Sequence, residues 1–265
     1  MDFVMLNNGI KMPMIGFGTY QMPSRITTRY VLDAISAGYR SIDTAQCYYN
    51  EREVGKAVRK SGLNREEFFI TTKLWGCRNY SDTIRSIENS LRELNLDYID
   101  LLLIHEPTGD FCEIYRATEK FYSDGKSRAI GVANFLESNF RKLMQTAKII
   151  PAVDQIETHL FRQQKSMHEF LKQFNTIHQS WSPLAAGENG IFSNPVLNSI
   201  AQNHGKSIAQ IALRFLYQQG IPIIPKTTHI ERMRENIAIL KFELTMEELD
   251  QIQKLNLEKS LFNWW

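Results

Sequence analysis

The strongest constraint on this chain is a rhythm. Short apolar runs recur at residues 14–18, 41–44, 68–74, 99–104, 129–132, 152–156, 177–181 and 222–225, each followed by a helical stretch. The segment 25–37 carries Val31, Leu32, Ala34 and Ile35 on one face. The segment 82–94 carries Ile84, Ile87, Leu91 and Leu94 at the i, i+3, i+4 spacing of an amphipathic helix. Strands that alternate with helices imply a parallel sheet with right-handed crossovers. Eight such units in 265 residues imply closure into a (β/α)8 barrel, the TIM barrel, as one domain over 1–265. Ahead of it, Asn7-Asn8-Gly9 between two apolar stretches predicts a β-hairpin, because an Asn-Gly step supplies the positive φ of a tight turn. Behind it, helical patterns at 196–204, 208–219, 231–240 and 245–255 predict extra C-terminal helices. Asn50-Glu51-Arg52-Glu53 reads as a helix start with Asn50 as the capping side chain.

Composition narrows the function classes. The formal net charge is +2 and no run of five like charges occurs, so neither nucleic acid nor an anionic membrane surface is expected as a partner. No apolar stretch reaches the roughly 18 residues of a membrane span. The first residues lack a basic region followed by an apolar core, so they do not read as a signal peptide. Cys47, Cys77 and Cys112 are odd in number and widely spaced; free thiols in a reducing cytoplasm are the expectation.

In such barrels the chemistry sits at the C-terminal ends of the strands. There the chain places Asp43, Lys73, His105, Asn134, Gln155 with Glu157, Trp181-Ser182 and Lys226. Each alone has an ordinary reading: a helix cap, a solvated lysine, a hydrogen-bonded core histidine. Tyr48 is one of ten tyrosines. Seven strands delivering polar or aromatic groups to one rim are harder to dismiss. A lysine facing a tyrosine lowers the phenol pKa from its reference near 10, an aspartate keeps the lysine charged, and a histidine can hydrogen-bond a substrate oxygen. Together these are the equipment for protonating an alkoxide as it forms. Residues 223–232, Ile-Ile-Pro-Lys-Thr-Thr-His-Ile-Glu-Arg, cluster cations near a helix start. That suits a phosphate site, but equally a basic surface helix with Glu231 and Glu235 as ion-pair partners.

Several motifs are absent. Gly16-Phe17-Gly18 is not GxGxxG, no phosphate-loop GxxxxGK[ST] or GxSxG occurs, and the six histidines make no HExxH. A metal site is therefore not expected.

The quoted segments also carry a resemblance. Gly16-Phe17-Gly18-Thr19-Tyr20, the run from Ile42-Asp43-Thr44-Ala45-Gln46-Cys47-Tyr48-Tyr49-Asn50-Glu51 to Gly55, Thr72-Lys73-Leu74-Trp75 and Leu103-Ile104-His105 are similar, in order, to the aldo-keto reductases. Later matches are Gly131-Val132-Ala133-Asn134-Phe135, Gln155-Ile156-Glu157-Thr158-His159, Trp181-Ser182-Pro183-Leu184 and Ile224-Pro225-Lys226-Thr227. The length resembles the compact bacterial type, similar to diketogluconate and methylglyoxal reductases. The resemblance implies a reductase of small aldehydes, ketones or dicarbonyls that uses NADPH. Tyr48 would be the general acid, Lys73 held by Asp43 would lower its pKa, and His105 would orient the carbonyl. Asn134 and Gln155 would hold the nicotinamide carboxamide, Trp181 would stack on its face, and Ser182 and Leu184 would lie along the pyrophosphate. Lys226, Thr227 and Arg232 would take the 2′-phosphate, and Glu235 and Asn236 the adenosine. Tyr20, Tyr49, Trp75 and Glu106 would line the substrate pocket; Phe111 is better read as core.

Three positions depart from the family pattern. Ala133 stands where Ser is usual, which removes one carboxamide hydrogen bond worth roughly 1 kcal/mol. Glu106 stands where many relatives carry Trp, making the pocket wall acidic. Leu160 follows His159 where Pro is common. The aromatic end, Phe262-Asn263-Trp264-Trp265, either folds over the pocket mouth or packs on the barrel exterior. The enzyme is expected to be a cytoplasmic monomer. The alternative is a nicotinamide-sensing regulatory subunit with little turnover, and behind it an unrelated barrel lyase or isomerase.

Overall fold

A computed structural model describes residues 2–262. A hairpin of β1 (Phe3–Met5) and β2 (Lys11–Pro13) opens the chain. Gly9 takes φ 83 in its turn, which Leu6 and Ile10 close by backbone hydrogen bonds. Seven parallel strands then pair in chain order: β3 (Gly16–Gly18), β4 (Ser41–Asp43), β5 (Phe69–Leu74), β6 (Ile99–Ile104), β7 (Ser127–Ala133), β8 (Val153–Glu157) and β9 (Ile177–Trp181). The eighth strand read at 222–225 is reduced to a bridge. Ile223 pairs in parallel with both Ile15 and Ser180, and so closes the barrel. Pro222 and Pro225 have no N–H to give to a longer ladder.

Between the strands run α1 (Ser24–Ser36), α2 (Glu51–Lys60), α3 (Tyr80–Leu94), α4 (Phe111–Ser123), α5 (Glu137–Met144) and α6 (Lys165–Lys172). Two helices, α7 (Pro195–His204) and α8 (Ile208–Gln218), lead into Ile223; α9 (Ile230–Ile237) and α10 (Met246–Gln253) follow. The fold is thus the expected α/β barrel with an N-terminal hairpin and added C-terminal helices. Both β5 and β6 are buried at every residue, which is why each reads as an unbroken apolar run rather than an alternation.

Two packing features position the site. Leu6 and Met12 from the hairpin pack with Phe69, Leu101, Ala129, Ala152 and Val153, near the starts of their strands, and plug that end of the barrel. The opposite end is left for chemistry. Helix α2 presses on the last turn of α3 at Gly55, where an added Cβ would lie 1.7 Å from the Leu94 carbonyl oxygen. Glycine costs a helix interior about 1 kcal/mol, but nothing larger fits there.

Candidate active site

The segment after β4 carries the tyrosine. Residues Gln46–Tyr48 form one turn of 3-10 helix, and Tyr49 then takes φ 54. Such backbone needs holding, and two side chains do it. Asn50 is fully buried. Its Nδ2 donates to the carbonyls of Thr19 and Met22, each at 3.0 Å, and its Oδ1 accepts from Thr44 Oγ1 at 2.7 Å. Asn50 therefore does not cap α2 with its side chain as the sequence suggested; it pins the turn to the loop after β3. Gln46 Nε2 donates to Ser86 and Ser90 on α3, while its Oε1 accepts from the Trp75 N–H at 2.9 Å.

That turn brings the four central residues together. The buried Lys73 Nζ donates to Asp43 Oδ1 at 2.5 Å and to the Thr44 carbonyl at 2.9 Å, and lies 3.4 Å from the Tyr48 hydroxyl. Gln155 Nε2 donates to the other Asp43 oxygen at 2.8 Å and to Gln179 Oε1 at 2.9 Å. The His105 ring stands edge-on to Tyr48, centroids 5.8 Å apart, and to Trp75 at 5.2 Å. Its Nδ1 is 3.5 Å from Cys47 Sγ.

The electrostatics differ from expectation in one respect. Burial, and then the Asp43 carboxylate, hold the Tyr48 phenol well above its ordinary pKa. The Lys73 charge does not make the resting phenol acidic, because desolvation of a phenolate outweighs it. Burial, and then Lys73, push His105 down to about 3, so its imidazole is neutral at physiological pH.

A relay of hydrogen bonds runs on around the mouth. Asn134, at φ 61, donates from Nδ2 to the His105 carbonyl and accepts from Trp181 Nε1 at 2.8 Å. Beyond Trp181, Ser182 takes φ 54 and Leu184 is half-buried. Lys226 and Arg232 are exposed and make no ion pair or side-chain hydrogen bond among the described residues. Glu231 and Glu235 are exposed on the same helix and pair with neither. Thr227 is buried and its Oγ1 accepts from the His229 N–H ahead of α9. Asn236 is buried in α9, one turn on from Met233, whose carbonyl accepts from the Tyr39 hydroxyl at 3.3 Å.

The expected pocket residues divide. The Tyr20 ring lies 5.0 Å from that of Tyr48. Tyr49 and Trp75 are exposed and line a cleft of about 540 Å³ that also touches Cys47, Ser24 and Asn89. This cleft flanks the tetrad; none of Asp43, Tyr48, Lys73 or His105 lines it. Glu106 is half-buried, and burial raises its carboxyl above the usual range. Phe111 is core, packed edge-on to Phe135. Ala133 is buried at the end of β7 and Leu160 lies wholly in the core.

The role of Glu157 was not legible in the sequence. It sits at the mouth end of β8 and gathers His159 Nε2 at 2.9 Å, the Arg162 guanidinium, Ser260 Oγ at 2.7 Å and the Leu261 N–H at 3.1 Å. Burial would raise its carboxyl, but the bonds from His159, Ser260 and Leu261 and the charge of Arg162 bring it down to about 2. The clasp delivers Phe262 to within 5.3 Å of Trp181, ring to ring. Asn263, Trp264 and Trp265 lie outside the described residues.

Comparison with known proteins agrees over nearly the whole chain. The model of the Aldo/keto reductase family matches residues 14–257. A 9,11-endoperoxide prostaglandin H2 reductase of Trypanosoma cruzi (strain CL Brener) is 44% identical over 97% of this chain and 93% of its own. A glyoxal reductase of Bacillus subtilis (strain 168) is 43% identical over 96% and 93%. A Bombyx mori aldo-keto reductase, solved in complex with NADP, superposes with a TM-score of 0.93 at 31% identity, covering 99% of this chain and 95% of that one.

Proposed function

The chain belongs to the aldo/keto reductase family, and from that premise we propose that it is an NADPH-dependent reductase of small aldehydes, ketones or dicarbonyls. One observation carries the reading: Lys73 Nζ, held by Asp43 and the Thr44 carbonyl, stands 3.4 Å from the Tyr48 hydroxyl, with a neutral His105 alongside. A carbonyl oxygen accepts hydrogen bonds from Tyr48 and His105, which polarise it and fix its position. NADPH, when bound, supplies the hydride that reduces the carbonyl carbon. Tyr48 gives its proton to the oxygen as charge develops there. The burial that keeps the resting phenol protonated would also disfavour the phenolate left behind. Lys73 offsets that at the moment the phenolate forms, and Asp43 keeps the ammonium aimed.

The donor set fits the cofactor. The unpaired cations Lys226 and Arg232, with Thr227, take the 2′-phosphate, and a dianion favours NADPH over NADH because it needs cationic partners. Gln155 retains its Oε1 for the carboxamide beside Asn134, Trp181 stacks on the nicotinamide, and Ser182 and Leu184 follow the pyrophosphate. Glu235 and Asn236 meet the adenosine. Tyr20, Tyr49, Trp75 and Glu106 shape the carbonyl pocket. The molecule works as a single barrel domain and a cytoplasmic monomer, without nucleic acid or membrane partners. The test is the near-ultraviolet absorbance of NADPH, and separately of NADH, with a panel of small aldehydes, ketones and dicarbonyls. Substrate-dependent oxidation with a preference for NADPH is expected. No oxidation with any carbonyl would overturn the proposal.

A further inference from the structure

His105 can orient a carbonyl only if the ring nitrogen facing the substrate carries a proton. A neutral imidazole has two tautomers, and the partner of one nitrogen decides which is populated. Here that partner is Cys47. Its Sγ lies 3.5 Å from His105 Nδ1, and His105 makes no other side-chain hydrogen bond among the described residues. The ring stands edge-on to both Tyr48 and Trp75. Nδ1 is thereby committed to the thiol, and Nε2 is the ring's remaining hydrogen-bonding atom.

We propose that Cys47 is a positioning residue: its S–H donates to His105 Nδ1, which places the ring proton on Nε2 as the donor to the substrate carbonyl. The reason lies in the two atoms. An imidazole nitrogen is a good acceptor, whereas a thiol sulfur is a weak one, so S–H···N outcompetes N–H···S. The opposite tautomer would turn the Nε2 lone pair toward the carbonyl oxygen and repel it. Both groups are in the protonation state this requires. Burial, the largest cause, pushes the Cys47 thiol up to about 11, and burial pushes His105 down to about 3. The pair therefore remains thiol and neutral imidazole across the physiological range. Cys47 is also tied to the turn that carries Tyr48, since the Tyr48 N–H donates to the Ala45 carbonyl within the same turn. One short segment thus supplies both the proton donor and the group that sets its neighbour's tautomer.

The inference rests on His105 acting on the carbonyl, but the tautomer is read without turnover. The experiment is imidazole 15N NMR of histidine-labelled protein, with His105 assigned by its absence in His105→Gln. The parent is expected to show a single Nε2–H form. Cys47→Ala should show a mixture of both tautomers, and Cys47→Ser, whose hydroxyl can donate to Nδ1 but also accept from it, should lie between Cys47→Ala and the parent. Carbonyl turnover should follow the same order, with kcat of Cys47→Ala reduced roughly 3- to 10-fold, the effect of one neutral hydrogen bond, and Cys47→Ser recovering part of it. An Nδ1–H form in the parent, or an unchanged spectrum in Cys47→Ala, would overturn the assignment. The expected spectra without turnover in any variant would leave the tautomer assignment standing and sink the reductase reading.

Discussion

At the scale of single residues, protonation states decide what the site can do. The Tyr48 phenol is held above its ordinary pKa and His105 near 3, so both remain in their working forms across neutral pH. The expected kcat/KM profile is accordingly flat from about pH 5 to 9, since such profiles report the free enzyme's essential groups. An acid limb near 6.5, the reference for histidine, would show that His105 titrates normally. Asp154 presents the opposite case. It is wholly buried on β8, neither oxygen has a well-formed hydrogen bond, and burial, only partly offset by the Phe135 N–H, drives its pKa well upward. A carboxyl whose folded pKa is raised adds stability at low pH and loses it as pH rises above the unfolded value. Asp154→Asn, neutral at every pH, should therefore raise Tm at pH 7, by roughly 2–4 °C for each kcal/mol relieved. An unchanged or lower Tm would mean that Asp154 is stabilised in a way its surroundings do not show.

At the scale of elements, close approach and anchoring explain positions that local pattern could not. Gly55→Ala sets two effects against each other. Removing a helix-interior glycine gains about 1 kcal/mol. A Cβ placed 1.7 Å from the Leu94 carbonyl oxygen forces α2 off α3, and overpacking of that kind costs about 1–3 kcal/mol or more. The clash with backbone should win, and urea unfolding should show a net loss. Strand order, hairpin, helices and the strand-end location of Asp43, Lys73 and His105 were legible, because strands covered on both faces read as continuous apolar runs. The eighth strand was legible as a segment but not as a single bridge at Ile223. Asn50 looked like a cap because its neighbours fit one, yet its partners include Thr19 and Met22, far back along the chain. Glu157 meets Ser260 across 103 residues, a pairing that no local pattern encodes.

At the scale of the whole molecule, acid should expose the buried titratable groups together. His105 and His178 are both depressed to about 3 by burial, so they resist the protons that the unfolded chain takes up below about 6.5. Glu157, depressed to about 2, contributes stability that is lost as pH falls below the ordinary carboxylate range. Asp154 runs the other way and softens the fall. Tm should thus decline from about pH 6.5 toward 4, and more steeply in Asp154→Asn than in the parent. A Tm independent of pH across that window would contradict this ledger of buried groups. At this scale the hairpin plugs one end of the barrel, and the proposed chemistry belongs to the other, where the strand ends and the Glu157 clasp meet. The most direct test of the central claim is the turnover of NADPH with a responsive carbonyl in the parent and in Tyr48→Phe, with cofactor binding measured in both by fluorescence. Tyr48→Phe is expected to bind NADPH as the parent does and to lose about 10²–10⁴-fold in kcat, the contribution of a positioned general acid. Turnover retained in Tyr48→Phe at the parent's rate would contradict it.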